Sequence, residues 1–537
     1  MNKQSSDLLA RYVIKAQERA LAPVIQGRLN NLFLITEDPL GVANALADLL
    51  IYQGAFAYII EREKCGSEAA VCAEAKQARN LFGPVNGMIH LAGLSAEPMP
   101  ADIASWRKQV ELQCKSLFWL LQCCHQDLEN HSGTDFIKII TCSLLGGFYG
   151  RDGCPQSGLP IAGAGQGLLR SLGYEWDCIW AKSVDFGLDL SAAEMAENLV
   201  NELLIAGDGQ EIGYPGGKRT IFYTMRHSLK PHIKPAGLIP KKDWVILATG
   251  GARGITARAI QMLANDNNHF ILIGKGKLAD RSEYQKYLKF DKEALRAEFI
   301  AQARTSREKI TPGMIEAKVT GILHDREIRE NIAILRRTGN KVSYLSCDVA
   351  DPAAFGEAID SIYRTHGKID IVIHGAGIID DHLLANKSAE SFNRVFDTKV
   401  DSAYTLYSKL KWELMEGIFF FSSTAGRYGN RGQSDYAAAN EVLNRFAWRI
   451  RSKWPHVLVK AFNWGPWSGV GMASNAVNSQ FISRDIYPIS AENGQRYFLG
   501  EMMHGDPAEV EVIMGEGTWD PEREDSIRDV FNAGLHI

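Results

Sequence analysis

No stretch of this chain reaches the about 18 consecutive apolar residues that a membrane-crossing helix requires. An excess of one charge is also missing: the formal net charge is −4, which favours neither nucleic acid nor an anionic membrane as a partner. The opening MNKQSSDLLARYVIKAQERA lacks the pattern of a secretory leader and is read as an amphipathic helix, so a cytoplasmic location is expected. Cysteine is sparse, nine in 537 residues, and no CxxC pair or Cys/His array has zinc spacing, so no metal is expected. Eight of the nine precede residue 180. The odd count argues against a disulfide framework, and reduced, mostly buried thiols are expected.

A chain of 537 residues is long enough for two or three hydrophobic cores. The clearest break is HSLKPHIKPAGLIPKKD (227–243), whose three prolines favour an extended linker. After it, DWVILATGGARGITARAIQMLA reads as a β-rich run, a glycine turn and a helix, the opening of a βαβ unit. HFILIG (269–274), KVSYLSCDV (341–349), KIDIVIHGAG (368–377), GIFFFSS (417–423) and VLVKAFNWG (457–465) then alternate with helical segments. That is the pattern of a parallel sheet covered on both faces.

The front half echoes the back. IHLAG (89–93) matches IHGAG (373–377) at an offset of 284, and IKIITCSLLGGFYG (137–150) parallels GIFFFSSTAGRYG (417–429). Two fragments in one order point to a duplicated α/β architecture: two Rossmann-like doubly wound parallel-sheet subdomains. The front copy is degenerate. EDPLG replaces a glycine-rich turn after its first strand, and IAGAGQG (161–167) stands where the back half has SDYAAAN (434–440). We therefore expect a non-catalytic structural subdomain over 1–240, a catalytic one over 241–520, and a linker over 521–537. A charged, helix-prone insertion at about 280–335 is read as solvated surface, with a docking surface as the alternative.

Chemistry concentrates in the back half. ATGGARGIT (248–256) sets Gly250, Gly251 and Gly254, with Thr249, Arg253 and Ile255, between a strand and a helix. Glycines there let the backbone approach a pyrophosphate, and the helix start supplies oriented N–H groups. No acidic residue ends the next strand; Lys275 and Lys277 do, which with Arg253 favours a 2′-phosphate and hence NADPH. Asp348 and Val349 are placed beside the adenine, and Gly375, Ala376 and Gly377 beside the ribose. His374 is read as a structural strand-end histidine. Tyr436 follows Ser423 by 13 residues, yet the position four beyond it, where a lysine would be usual, is Asn440.

TGGARGIT, CDV, IHGAGIIDDHLL, TKVDSAY, FFSSTAGRYGNRGQSDYAAAN and FNWGPW, in this order over about 245–470, resemble the short-chain dehydrogenase/reductases. They are more similar still to the ketoreductase domains of modular polyketide synthases and polyunsaturated fatty acid synthases. The resemblance implies a truncated structural copy ahead of the catalytic subdomain. It also implies that lysine and asparagine have exchanged places, the lysine being Lys399, 24 residues before Ser423. The implied reaction reduces a 3-oxoacyl thioester carried by an acyl carrier protein. Tyr436 would donate the proton, Ser423 would bind the oxygen, Lys399 would lower the phenol pKa and hold the nicotinamide ribose, and Asn440 would position the lysine or a relay water.

Ile379-Asp380-Asp381 resembles the Leu-Asp-Asp motif of B-type domains, which make the 3R alcohol, and Tyr428 stands where A-type domains carry tryptophan. FNWGPWSGVGMAS (462–474) resembles the family's strand end and lid, with Pro466 over the nicotinamide and Trp467 and Met472 toward the substrate. Neighbouring synthase domains are expected partners, since neither ketosynthase nor carrier signatures occur. Open alternatives are a free-standing reductase, a non-catalytic docking scaffold, and an epimerase or dehydratase on the same fold.

Overall fold

Short β-rich runs bounded by turns become strands because their side chains are buried on both faces: Phe419 and Phe420, which point to opposite faces, are both fully buried. The computed structural model describes residues 9–21, 29, 31–130, 136–153, 157–176, 178–205, 209–229, 235–264, 267–306, 309–469 and 487–516. Among these, the front half contributes β1 (Leu9–Glu18), β2 (Leu32–Thr36), β3 (Phe56–Ile60), β4 (Val85–His90), β5 (Ile137–Ser143), β6 (Ile179–Phe186), β7 (Glu211–Tyr214) and β8 (Thr220–Arg226). The back half contributes β9 (Val245–Thr249), β10 (His269–Gly274), β11 (Lys341–Ser346), β12 (Ile371–His374), β13 (Gly417–Ser423), β14 (Leu458–Trp464) and β15 (Glu511–Glu516).

All belong to one sheet, ordered β11-β10-β9-β12-β13-β14-β15-β1-β8-β7-β6-β5-β4-β2-β3. From β11 to β15 every pairing is parallel, the doubly wound arrangement expected for the back half. The front half repeats it from β3 to β7 without a counterpart of β11.

The expected N-terminal helix is instead β1. It pairs antiparallel with β15 (Leu9↔Glu516) and with β8 (Tyr12↔Arg226) and closes the seam between the halves. Two open strand edges satisfy its backbone on both sides, which outweighs helical spacing. Arg11 is buried there against Glu501 at 2.6 Å and Glu509 at 2.7 Å.

The thiols also depart in part from expectation. Cys72, on the helix Glu68–Phe82, is disulfide-bonded to Cys123, which ends the neighbouring helix Ser116–Cys123, with Cα atoms 5.5 Å apart. Packing of these two helices, invisible in the cysteine spacing, brings the sulfurs together. Cys65, Cys114, Cys124 and Cys142 are free and buried.

Helices Ala164–Leu172 and Ser434–Lys453, equivalent elements of the two copies, pack face to face. A Cβ on Gly167 would overlap the Ala437 carbonyl, so glycine permits that approach. Around them a buried ionic cluster joins the halves. Arg151 lies 2.5 Å from Glu211, Arg170 lies 3.1 Å from Glu441, and Arg445 lies 2.9 Å from Glu441, with Arg427 also on Glu211 and Arg445 on Glu511.

The charged segment after β10 forms helices Arg281–Tyr287, Lys292–Ser306 and Pro312–Arg337. They share a small core of Tyr287, Leu295, Phe299, Ile315, Val319 and Ile322. The third helix also serves as the crossover into β11.

Candidate active site

The carboxyl ends of β9, β10, β12 and β13 open into a cleft of roughly 1240 Å3. Its floor is the glycine loop between β9 and the helix Gly254–Ile260, where Gly250 and Gly254 adopt φ 66° and 61°. A Cβ on Gly250 would stand 2.9 Å from the Gly375 carbonyl oxygen, so the loop is held against the end of β12. Thr249 and Gly251 support this loop from beneath and do not line the cleft. The Thr249 hydroxyl lies 2.7 Å from His374 Nδ1, and His374 Nε2 lies 3.1 Å from the Ser402 hydroxyl. Burial pushes the His374 imidazole down to about 3, so it acts as a neutral tether, the structural role expected of it.

Of the expected cofactor residues, Gly250, Arg253, Gly254, Ile255, Lys275, Asp348, Val349, Gly375, Ala376 and Gly377 line the cleft, together with Lys399, Ser423 and Tyr436. Lys275, largely exposed, is paired with Asp348 at 2.7 Å. The Arg253 guanidinium has no hydrogen bond or ion pair among the described residues, leaving a bare cation beside the glycine loop.

The four catalytic candidates converge from three elements. Lys399 rises from the helix Ala389–Lys409, is 2% exposed, and donates to the Phe421 carbonyl at 3.0 Å. Burial pulls its amine down to about 7. A Cβ on Gly377 would come within 2.7 Å of Lys399 Cε, so glycine there makes room for the lysine. Ser423 ends β13 and its hydroxyl accepts the Ala425 N–H at 3.1 Å. Tyr436 opens the helix Ser434–Lys453; burial pushes its phenol upward, against hydrogen bonds with Asn440 and Ser423 that act downward. Asn440 lies one turn further and donates to the Tyr436 carbonyl at 2.7 Å. Its buried Oδ1 has no partner among the described residues.

The stereocontrol candidates divide. Asp381 accepts from Gln433 at 3.1 Å, three residues before Tyr436, and so borders the catalytic helix. Asp380 turns away to the Ser391 hydroxyl at 2.6 Å and to Arg394. Tyr428 is not in the cleft: it is buried at the seam against Ala10, Tyr12 and Ile513, its hydroxyl 2.7 Å from that of Thr224. Trp467 is a core residue packed on Trp464, with ring centroids 5.2 Å apart. Pro466 is buried outside the cleft lining, its carbonyl accepting from Ile489 at 2.7 Å. Met472 lies outside the described residues.

Several site residues escaped the sequence reading. Arg107, from the front half, lines the cleft and pairs with Asp401 at 2.8 Å. The offset of 284 that relates His90 to His374 also relates Lys115 to Lys399. His90 even repeats the tether, 2.7 Å from the Ser116 hydroxyl. Lys115 is spent on Asp397 at 3.1 Å, and Ser143, the counterpart of Ser423, donates to Asp185 at 2.6 Å. The tyrosine position of the front copy is Gly163, where a side chain would overlap Arg445. Glu327 was missed as well: its carboxylate accepts the Gly254 N–H at 2.8 Å.

That last contact tests whether a nicotinamide dinucleotide fits. An amide of the glycine loop already holds an anion, as the pyrophosphate of such a cofactor requires, and Arg253 stands by it without a partner among the described residues. The residues present fit the group.

A parallel doubly wound sheet with a glycine loop after its first strand and a Ser–Tyr–Lys group at its carboxyl edge defines a short-chain-type reductase fold. Residues 245–469 match the KR domain family, and relatives of the chain are polyketide and polyunsaturated fatty acid synthases. One of the polyunsaturated fatty acid synthase subunits of Thraustochytrium sp. is 29% identical over 387 residues, covering 70% of this chain and 13% of that protein. The pikromycin polyketide synthase component PikAII of Streptomyces venezuelae is 31% identical over 207 residues, covering 37% of this chain and 6% of that protein. This chain thus spans a small fraction of the relatives it matches. An N-terminal ketoreductase from the macrolactin assembly line shares the fold at TM-score 0.72 and 17% identity, over 98% of this chain and 94% of that one. No helix among the described residues is long and apolar enough to cross a membrane.

Proposed function

We propose that this chain is an NADPH-dependent reductase of 3-oxoacyl thioesters presented on an acyl carrier protein, working beside other synthase domains. The front half, to about residue 240, serves as its structural support. The observation that carries the reading is the convergence of Lys399, Ser423 and Tyr436 at one wall of a cleft floored by the glycine loop, with Asn440 buried one helical turn behind Tyr436.

When bound, NADPH supplies a hydride to the carbonyl carbon of the substrate. Gly254, with Gly250 permitting close approach, would hold its pyrophosphate, Arg253 its 2′-phosphate and Gly375 to Gly377 its ribose side. Ser423 and Tyr436 direct hydroxyls at the carbonyl oxygen, and Tyr436 gives its proton to the developing alkoxide. A phenol raised by burial is a weak acid, so its anion needs a nearby cation. Lys399 is that cation when protonated, and its amine, lowered to about 7, can take up and release a proton near neutral pH. Asn440, with one unsatisfied carbonyl oxygen, holds the start of the catalytic helix and offers an acceptor to a relay water.

The contact of Asp381 with Gln433 beside the catalytic helix supports B-type guidance of the acyl chain and a 3R product. The test is incubation of carrier-bound 3-oxoacyl substrates with NADPH, followed by chiral analysis of the product. Consumption of NADPH with formation of the 3R alcohol is expected. The 3S alcohol alone would overturn the stereochemical reading, and turnover without NADPH consumption would replace reduction by epimerisation or dehydration.

A further inference from the structure

The helix Pro312–Arg337 is 26 residues, about 39 Å at 1.5 Å per residue, whereas β11, to which it returns, has only six residues. A crossover helix need only span the sheet, so its N-terminal part overshoots the carboxyl edge and stands beside the cofactor cleft. His324, Glu327 and Ile328, from one turn of that helix, line the cleft.

This turn and the next grip the glycine loop once each. Asn331 donates to the Ala252 carbonyl at 3.0 Å, a contact that takes up no amide of the loop. Glu327 accepts the Gly254 N–H at 2.8 Å and so occupies an amide that faces the cleft. The carboxylate is spent on this amide, although the Arg253 guanidinium next to it is unpaired among the described residues. Arg326, on the adjacent position, donates to the Phe290 carbonyl at 2.6 Å and ties this turn to the inserted helices.

We propose that Glu327 is a built-in competitor for the dinucleotide phosphate, and that the inserted helix thereby sets cofactor affinity. This inference rests on the cofactor reading given above. A carboxylate and a phosphate oxygen cannot share one N–H, and their like charges repel. The cofactor therefore binds only the fraction of molecules in which Glu327 has swung off the loop, and the apparent Kd rises by the inverse of that fraction. A carboxylate seated on the loop about nine-tenths of the time weakens binding about tenfold.

Direct titration of NADPH into the full chain, read by nicotinamide fluorescence and by calorimetry without acyl substrate, tests this. Glu327→Gln keeps the shape and an acceptor oxygen but removes the charge, and about tenfold tighter NADPH binding is expected. Glu330→Gln, at an exposed position on the same helix, removes an equal charge away from the loop and should leave the Kd unchanged. Equal or weaker binding by Glu327→Gln overturns the proposal, as does equal tightening by both variants. Failure of wild type and variants alike to bind NADPH, while folded, would remove the cofactor reading itself and this inference with it.

Discussion

The amine of Lys399 lies 5.7 Å from the centre of the Tyr436 ring, yet gives its hydrogen bond to the Phe421 carbonyl at 3.0 Å. The two groups therefore act on each other through the field of a buried charge, in surroundings where water screens little. The spacing leaves the phenol hydroxyl to Ser423.

Tyr436→Phe removes the hydroxyl proposed as proton donor and keeps the ring. We expect kcat for carrier-bound 3-oxoacyl reduction to fall by about 10² to 10⁴-fold, with the Kd for NADPH changed by no more than about twofold. Steady-state kinetics beside a cofactor titration separates the two. Retained turnover would show that another group protonates the alkoxide.

Lys399→Met should abolish turnover and stabilise the fold. The folded-state pKa of Lys399 is depressed to about 7, so its burial penalty is full below pH 7 and fades as pH rises toward the unfolded value near 10.5. The gain in unfolding free energy, on the order of 2–4 kcal/mol at pH 6, should therefore shrink by pH 9. Denaturant melts of both proteins at the two pH values check the sign, and a gain that grew with pH would contradict the assignment.

Arg253→Ala should weaken NADPH by about tenfold and NADH hardly at all, because its guanidinium is unengaged among the described residues and faces the cleft. Lys275→Ala should do less, since that amine is exposed and already paired with Asp348. The ratio of kcat/KM for the two cofactors in each variant reads the difference.

Glu211 is buried against Arg151, Arg170 and Arg427. Glu211→Ala leaves three guanidinium groups short of a counter-charge, and a loss of about 3–5 kcal/mol is expected. Because this cluster spans the two halves, wild type should melt in one transition and the variant in two, resolvable by calorimetry.

The strand-turn text and the Ser423–Tyr436–Asn440 spacing were legible because each depends on a few adjacent residues: a strand end, a tight loop, one helical turn; Lys399, on a helix of its own, was placed only by the family resemblance. The duplication was legible for the same reason, through IHLAG and IHGAG. What stayed hidden depends on contacts between distant segments. Tyr428 and Trp467 carry the residue types of a substrate wall, but the seam and the core claim their rings. Residues 9–18 have spacing that suits a helix until two bare strand edges come to flank them. Lys115 was within reach, since the offset that joins His90 to His374 lands on it. Glu327 was not, for nothing in a charged helical stretch says which carboxylate will meet a loop some seventy positions away.

The pairing of Leu9 with Glu516 has a consequence for biosynthesis. Of the strands described, β1 leaves the ribosome first, but one of its two neighbours, β15, is made last. Until then the β1–β8 ribbon carries an open edge, the kind of surface that recruits stray strands. Limited proteolysis of stalled nascent chains should show the β1 segment becoming protected only once the segment through residue 516 has cleared the exit tunnel. The first and last of the described strands also lie side by side, so residues 9 and 516 meet at one point of the sheet, and any movement of one strand there must be followed by the other.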